Sequence, residues 1–185
     1  MYFGKGYNSR GKYQVQVDKK TTTAFKRWKG LLKRCYSESY KNKDRYSVRG
    51  CYVADHWLDF QNFAEWFYEN QVDGWEIDKD LHKSLVYSED TCVSLPKEIN
   101  TLLTEYTSER DGVSYHKRLE RYQVQLSSKY FPRCKGYYNT LEEAQIVYRK
   151  ERDTLLAFLA DKYKYTLSEE AYLKLYNYKT EEINE

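Results

Sequence analysis

The chain has little of what builds a metal ribbon, a secreted scaffold or a membrane anchor. Among 185 residues there are four cysteines, Cys35, Cys51, Cys92 and Cys134, and no two of them form a CxxC pair. That spacing suggests neither a zinc ribbon nor a disulfide framework, so free and mostly buried thiols are expected, and zinc is not. Proline occurs only twice and histidine three times. No apolar run approaches the roughly 18 residues that a membrane span needs. The opening MYFGKGYNSRGKY lacks the apolar centre of a secretory signal. A cytoplasmic protein without membrane association is therefore the expectation.

Aromatic residues, by contrast, make up 17% of the chain, with 21 tyrosines, and charged residues 32%. That composition describes a folded, heavily charged protein rather than a disordered one. The length suits one sizeable core or two small modules. A net charge of +3 conceals a strong asymmetry: residues 1–50 hold fourteen Lys and Arg against three acids, and residues 51–100 hold three against eleven. Residues 111–165 return to a basic excess. Two basic regions around an acidic centre suit a protein that grips phosphates on either side of a metal-binding middle. Simple solvated faces are the plain alternative.

Along the chain, Gly11 to Val17 alternates as a strand does. Thr21 to Tyr36 spaces Phe25, Trp28, Leu31, Leu32 and Cys35 at three and four, one apolar helical face, with Thr residues able to cap its start. Its other side carries Lys29 together with Lys26, Arg27, Lys33 and Arg34, the last four being candidate phosphate contacts. A polar linker follows over residues 37–50. Asp59 to Asn70 reads as a second helix with Asp59 as N-cap and Phe60, Phe63, Ala64 and Phe67 turned inward. Trp75 to Leu103 then reads as two strands followed by a helix from Pro96 to Tyr106, with acids clustered at the tip of the strand pair. Asp78, Asp80, Glu89 and Asp90 are able to gather a hard cation such as Mg²⁺ or Mn²⁺, and a solvated acidic turn stands as the alternative.

After a turn over Ser108 to Gly112 the pattern is three strands within residues 113–138, then a helix from Thr140 to about Tyr163. Thr140 and Glu143 form a capping box there. Leu141, Ala144, Val147, Tyr148, Leu155, Phe158 and Leu159 make the apolar stripe of that helix. A helical tail runs from Leu167 to Tyr178, and the final TEEINE is expected to fray. On the strands Lys117, Arg118, Arg121 and Gln123 are candidates for DNA, since Arg and Gln read base edges and Lys positions the backbone. Strict alternation puts Lys117, Leu119, Arg121 and Gln123 on one side.

The runs AFKRWKGLLKRCY, CYVADHWLDFQNFAEWFYEN, GWEIDKDL, VYSEDTC and LPKEIN resemble a family of bacteriophage HNH endonuclease-like proteins, many similar to homing endonucleases. The resemblance covers about residues 11–105. Residues 112–163 resemble the APETALA2-type DNA-binding domain that such phage proteins often carry, except that Cys134, Lys135 and Gly136 replace the usual small apolar residues entering the third strand. The implied fold is α+β. It has an HNH-like ββα core with aromatic-rich helices over residues 1–107, and a three-stranded antiparallel sheet packed on a helix, with a helical tail, over residues 108–185.

The resemblance also assigns roles. Asp78 matches the metal-binding acid, with Asp80 as a second candidate ligand; Lys79 occupies the position of the water-activating His; Thr91 stands where an Asn ligand is frequent; Asn100 matches the late Asn of the helix; Tyr87 and Cys92 match packing residues. Lysine is a poor general base at neutral pH, and beside Asp78 and Asp80 its protonated form is favoured. His82 reaches such a site only if the strand geometry is altered, and His56 is expected to be structural. The implied function is a phage-type protein that binds double-stranded DNA in an infected bacterial host, with weak or lost metal-dependent cleavage. A different class, a phage protein that binds and inhibits a host protein, is favoured by the density of Tyr and Trp, residue types enriched at interfaces.

Overall fold

Thr22 and Asp59 start the two helices around which the first core forms. The structure, a computed structural model, describes residues 1–105 and 112–179, and the chain divides into two compact units, residues 1–97 and 98–185. In the first unit α1 spans Thr23–Tyr36. The Thr22 hydroxyl accepts from the Phe25 N–H, satisfying one of the donors a helix start leaves open. Helix α2 spans Phe60–Asn70, and the Asp59 carboxylate accepts from the N–H groups of Gln61 and Ser9, each at 3.1 Å. Burial would raise this carboxyl, but the bonds from Ser9 and Gln61 outweigh it and hold the pKa below the ordinary value.

The apolar faces expected from the sequence are the ones buried: Phe25, Trp28, Leu31, Leu32 and Cys35 on α1, and Phe60, Phe63, Ala64 and Phe67 on α2. Phe25 meets Phe60 edge to face at 5.1 Å, and the Trp28 indole donates to the Trp57 carbonyl at 2.8 Å. Truncating a buried tryptophan such as Trp28 to alanine costs about 3–5 kcal/mol.

The strand expected over Gly11–Val17 shrinks to β1, Gln16–Val17, paired antiparallel with β2, Lys20–Thr21. Asp18 and Lys19 both take positive φ at this tight turn, as a two-residue hairpin with the right twist requires. Upstream, the Gln61 side chain accepts from the Tyr13 N–H and donates to the Tyr13 carbonyl, so a side-chain amide replaces the partner strand. Residues 37–50 are turns with one short 3-10 segment, Lys43–Arg45. Strand β3, Tyr52–Val53, pairs in parallel with β5, Val86–Tyr87. Strand β4, Glu76–Asp78, pairs antiparallel with β6, Val93–Leu95. The acidic segment is thus an antiparallel pair joined by a long connection that itself contributes β5, not a tight hairpin.

Helix α3, Lys97–Glu105, follows Pro96 directly. The division after Lys97 puts α3 in the second unit, whereas the sequence reading puts it with the strands before it. Tyr106 and residues 108–111 of the expected turn lie outside the described residues, as does the tail 180–185. In the second unit β7, Val113–His116, β8, Arg121–Gln125, and β9, Cys134–Tyr138, form an antiparallel sheet with β8 in the centre. Helix α4, Leu141–Tyr163, packs on it and begins with the expected capping box of Thr140 and Glu143. Gly112 enters the sheet at φ +60, and a Cβ there would stand 2.3 Å from the Gln125 carbonyl oxygen, so glycine is required.

Val124 and Leu126 are buried on the helix side of the sheet with Ala144, Tyr148, Leu155 and Leu159. Leu141 and Phe158, expected on the apolar stripe, are exposed, and the fully buried Arg152 is within it, its Nε donating to the Leu102 carbonyl at 2.9 Å. Glu98 fastens α3 to α4 by accepting from Lys162 Nζ at 2.6 Å and from the Tyr130 and Tyr163 hydroxyls. Helix α5, Glu169–Tyr176, is capped by Ser168 and buries Ala171 and Leu175. No helix among the described residues is long and apolar enough to cross a membrane.

Candidate functional site

Strand β4 delivers Asp78 into the interior of the first unit, where it is 2% exposed. One carboxyl oxygen, Oδ2, accepts from the Leu81 N–H at 2.8 Å, and Oδ1 has no hydrogen-bond partner among the described residues. Burial pushes this carboxyl up to about 7, and the neighbouring Asp80 adds to the shift. Lys79 is buried as well, with Nζ 2.5 Å from Asp80 Oδ1 and 5.5 Å from the centre of the Tyr87 ring. Burial alone would lower its pKa, but Asp80 outweighs burial and holds the amine charged. Its ammonium is therefore a structural counter-ion with no lone pair to offer a water.

Thr91 does not face this pair: its hydroxyl donates to the Val86 carbonyl at 2.7 Å and accepts from the Ser88 N–H, closing the loop after β5. Tyr87 and Cys92 are buried packing residues. Burial raises the Cys35 and Cys92 thiols to about 12, which keeps them protonated, and the four cysteines are free. Glu89 and Asp90 are exposed, and Glu89 stands 4.0 Å from the exposed His56. His82 is half-buried in the 3-10 turn Asp80–His82. Asn100 belongs to the second unit, where its carbonyl accepts from Thr104. A divalent ion requires several ionised or carbonyl oxygens facing one point. Asp78 is sealed with one oxygen held by the Leu81 N–H, Asp80 is paired with Lys79, and no group of three His, Cys, Asp or Glu among the described residues could hold a metal. These residues do not fit Mg²⁺ or Mn²⁺.

The basic side of α1 is divided. Lys26 and Lys33 are exposed, but Arg27 makes a two-point ion pair with Glu76 and also donates to the Trp75 carbonyl. Arg34 lies over the Tyr46 ring at 5.7 Å and beside Tyr87. Burial would lower its pKa, and the two tyrosines more than offset that.

The C-terminal sheet leaves one face uncovered. Residues directly opposite one another across a ladder point to the same side. Val113 opposite Val124, and Tyr115 opposite Tyr122 and Tyr138, lie on the side turned to α4. The outer side carries Ser114, Gln123 and Tyr137 in one row, His116 with Arg121 in the next, and Gln125 with Cys134 at the other end. Gln123 Nε2 donates to the Tyr137 hydroxyl at 2.9 Å, and the His116 ring meets Tyr137 edge-on at 5.6 Å. Lys117 and Arg118 are not strand residues. They form the turn between β7 and β8, which closes by a Leu119 N–H bond to the His116 carbonyl and a positive φ at Glu120. The face thus brings together Arg121 and Gln123 as expected, adds Ser114, Gln125, Cys134 and Tyr137, and sets Lys117 and Arg118 at its rim. The register, which the sequence alone did not specify, is what assigns Tyr137 to it.

Comparison with family models, curated proteins and solved structures gives no match.

Proposed function

We propose that this chain binds double-stranded DNA through the outer face of its C-terminal sheet, as a phage-type protein of HNH homing-endonuclease-like descent that no longer cuts. The observation that carries the reading is the uncovered face itself. Arg121, Gln123 and Gln125 project from one central strand, with Lys117 and Arg118 at the rim. The major groove admits β-strands, and there Arg pairs with guanine and Gln with adenine, each contact worth about 1–3 kcal/mol of discrimination. The rim cations suit the flanking phosphates. Loss of cleavage is supported by Lys79, charged and buried against Asp80 where a base would be needed, and by the sealed Asp78.

Two assays test this. In a gel shift, duplex binding is expected to weaken steeply from low to moderate salt, with Arg121→Ala/Gln123→Ala binding at least tenfold more weakly at fixed salt. Absence of binding at any salt would transfer the weight to the host-protein reading. In a plasmid-nicking assay with Mg²⁺ and Mn²⁺ no cutting is expected, and metal-dependent cutting abolished by Asp78→Ala would overturn the inactive assignment.

A further inference from the structure

Helix α4 meets the sheet with one side and leaves a groove on the other. Tyr148 and Glu151 mark the sheet side, where Glu151 pairs with Lys135 of β9 at 2.7 Å. A helix repeats every 3.6 residues, which places Ile146, Arg149, Lys150 and Asp153 on the opposite flank. With α5 and the residues after it, these line a cavity of about 510 Å³ that also includes Tyr176 and Lys179. Arg149 Nε is buried without a hydrogen-bond partner among the described residues. None of Arg149, Lys150 and Lys179 is in an ion pair among the described residues. One acid, Asp153, faces three such cations. Tyr176 and Ile146 stand at the mouth with about half or more of their surface exposed.

Three cations outside any ion pair among the described residues, against a single acid, leave an excess of positive charge that fits a phosphate. An exposed tyrosine ring beside them fits a base, because every nucleobase has a face that stacks on an aromatic ring. We propose that this groove binds one nucleotide of a single-stranded nucleic acid, the phosphate on Arg149, Lys150 and Lys179 and the base on Tyr176. The site lies on the far side of α4 from the sheet. It therefore adds a second nucleic-acid contact to the duplex-binding reading without depending on it.

The test is fluorescence anisotropy of the full chain with a labelled oligothymidine and, separately, a labelled duplex, across a salt series. Tyr176→Ala is expected to weaken oligothymidine binding about 5- to 150-fold, with Tyr176→Phe restoring it. Lys150→Gln/Lys179→Gln, two exposed positions, is expected to flatten the salt slope for the single strand by about 1.4. Duplex binding is expected to persist in both variants and to fall only in Arg121→Ala/Gln123→Ala. Single-strand binding that is absent, or unchanged in the groove variants, overturns the proposal. Displacement of the oligonucleotide by a polyglutamate peptide of equal charge also overturns it, since the groove would then hold acidic protein. Single-strand binding that survives while duplex binding is absent retains the groove and removes the sheet reading.

Discussion

The two basic regions of this protein both hold part of their charge in internal pairs, and they differ in which cations stay open. Residues 1–50 hold the denser positive charge, yet Arg27 is locked on Glu76 and Arg34 lies against Tyr46 and Tyr87. A little further along, Lys79 is buried against Asp80. In the second unit Arg121, Arg149 and Lys150 have no ion pair among the described residues. Charge offered to a partner is what remains after internal pairing, and in both regions a count of Lys and Arg overstates it, since Arg27 in the first and Lys129, Lys135, Lys162 and Lys174 in the second are paired.

The largest test of that contrast is Lys79→Ala. Removing the buried cation leaves the half-buried Asp80 without its partner, and a loss of about 3 kcal/mol in urea denaturation is expected, the low end for a buried pair because Asp80 keeps some water. A loss below about 1 kcal/mol would show that the pair is no more than a surface salt bridge. Asp78→Asn sharpens the same region through pH. A carboxyl near 7 in the folded chain and near 4 in the unfolded one contributes stability that is complete below the lower value and is lost as pH rises through the upper one. The variant is therefore expected to exceed the wild type by on the order of a few kcal/mol at pH 8, and by less at pH 5. An equal difference at both values would remove the titration from the account.

On the second side, Arg121→Ala is expected to weaken duplex binding by about 1–3 kcal/mol and relax specificity at one base pair, whereas Arg27→Ala is expected to change stability and leave binding nearly untouched. Equal binding losses in the two would erase the distinction between paired and open cations. Thr140→Ala is expected to cost about 1 kcal/mol of stability through the lost cap of α4, read as a lower melting temperature. The smallest effect is expected for Lys117→Ala, which flattens the salt dependence of duplex binding by about 0.9 while leaving sequence preference intact.

The helices of this fold were legible because their signals are local. The Thr22, Asp59 and Thr140 caps and the apolar spacing of α1 and α2 lie within a turn or two of the residues they organise. What escaped is set by distant partners. Gln61 takes the backbone of Tyr13 across 48 positions, so an alternating run forms no strand there. The β3 and β5 pair is two residues long, too short for any alternation to show. The turn after β7 contains no Gly or Asn, and Glu120 supplies the positive φ instead, so Lys117 and Arg118 read as strand. Arg152 is a charge inside an apolar stripe whose acceptor, the Leu102 carbonyl, is 50 residues away. At the candidate site Arg121 and Gln123 followed from alternation, while the sealing of Asp78 depended on the turn that brings the Leu81 N–H back to it.

Cys134 is the exposed thiol of the four and sits on the outer sheet face, its sulfur 3.6 Å from Gln123 Nε2. The other three are enclosed in the first unit. A maleimide dye added to the native protein would therefore attach at one place, next to the residues proposed to read bases, and its emission would report on whatever comes to cover that surface.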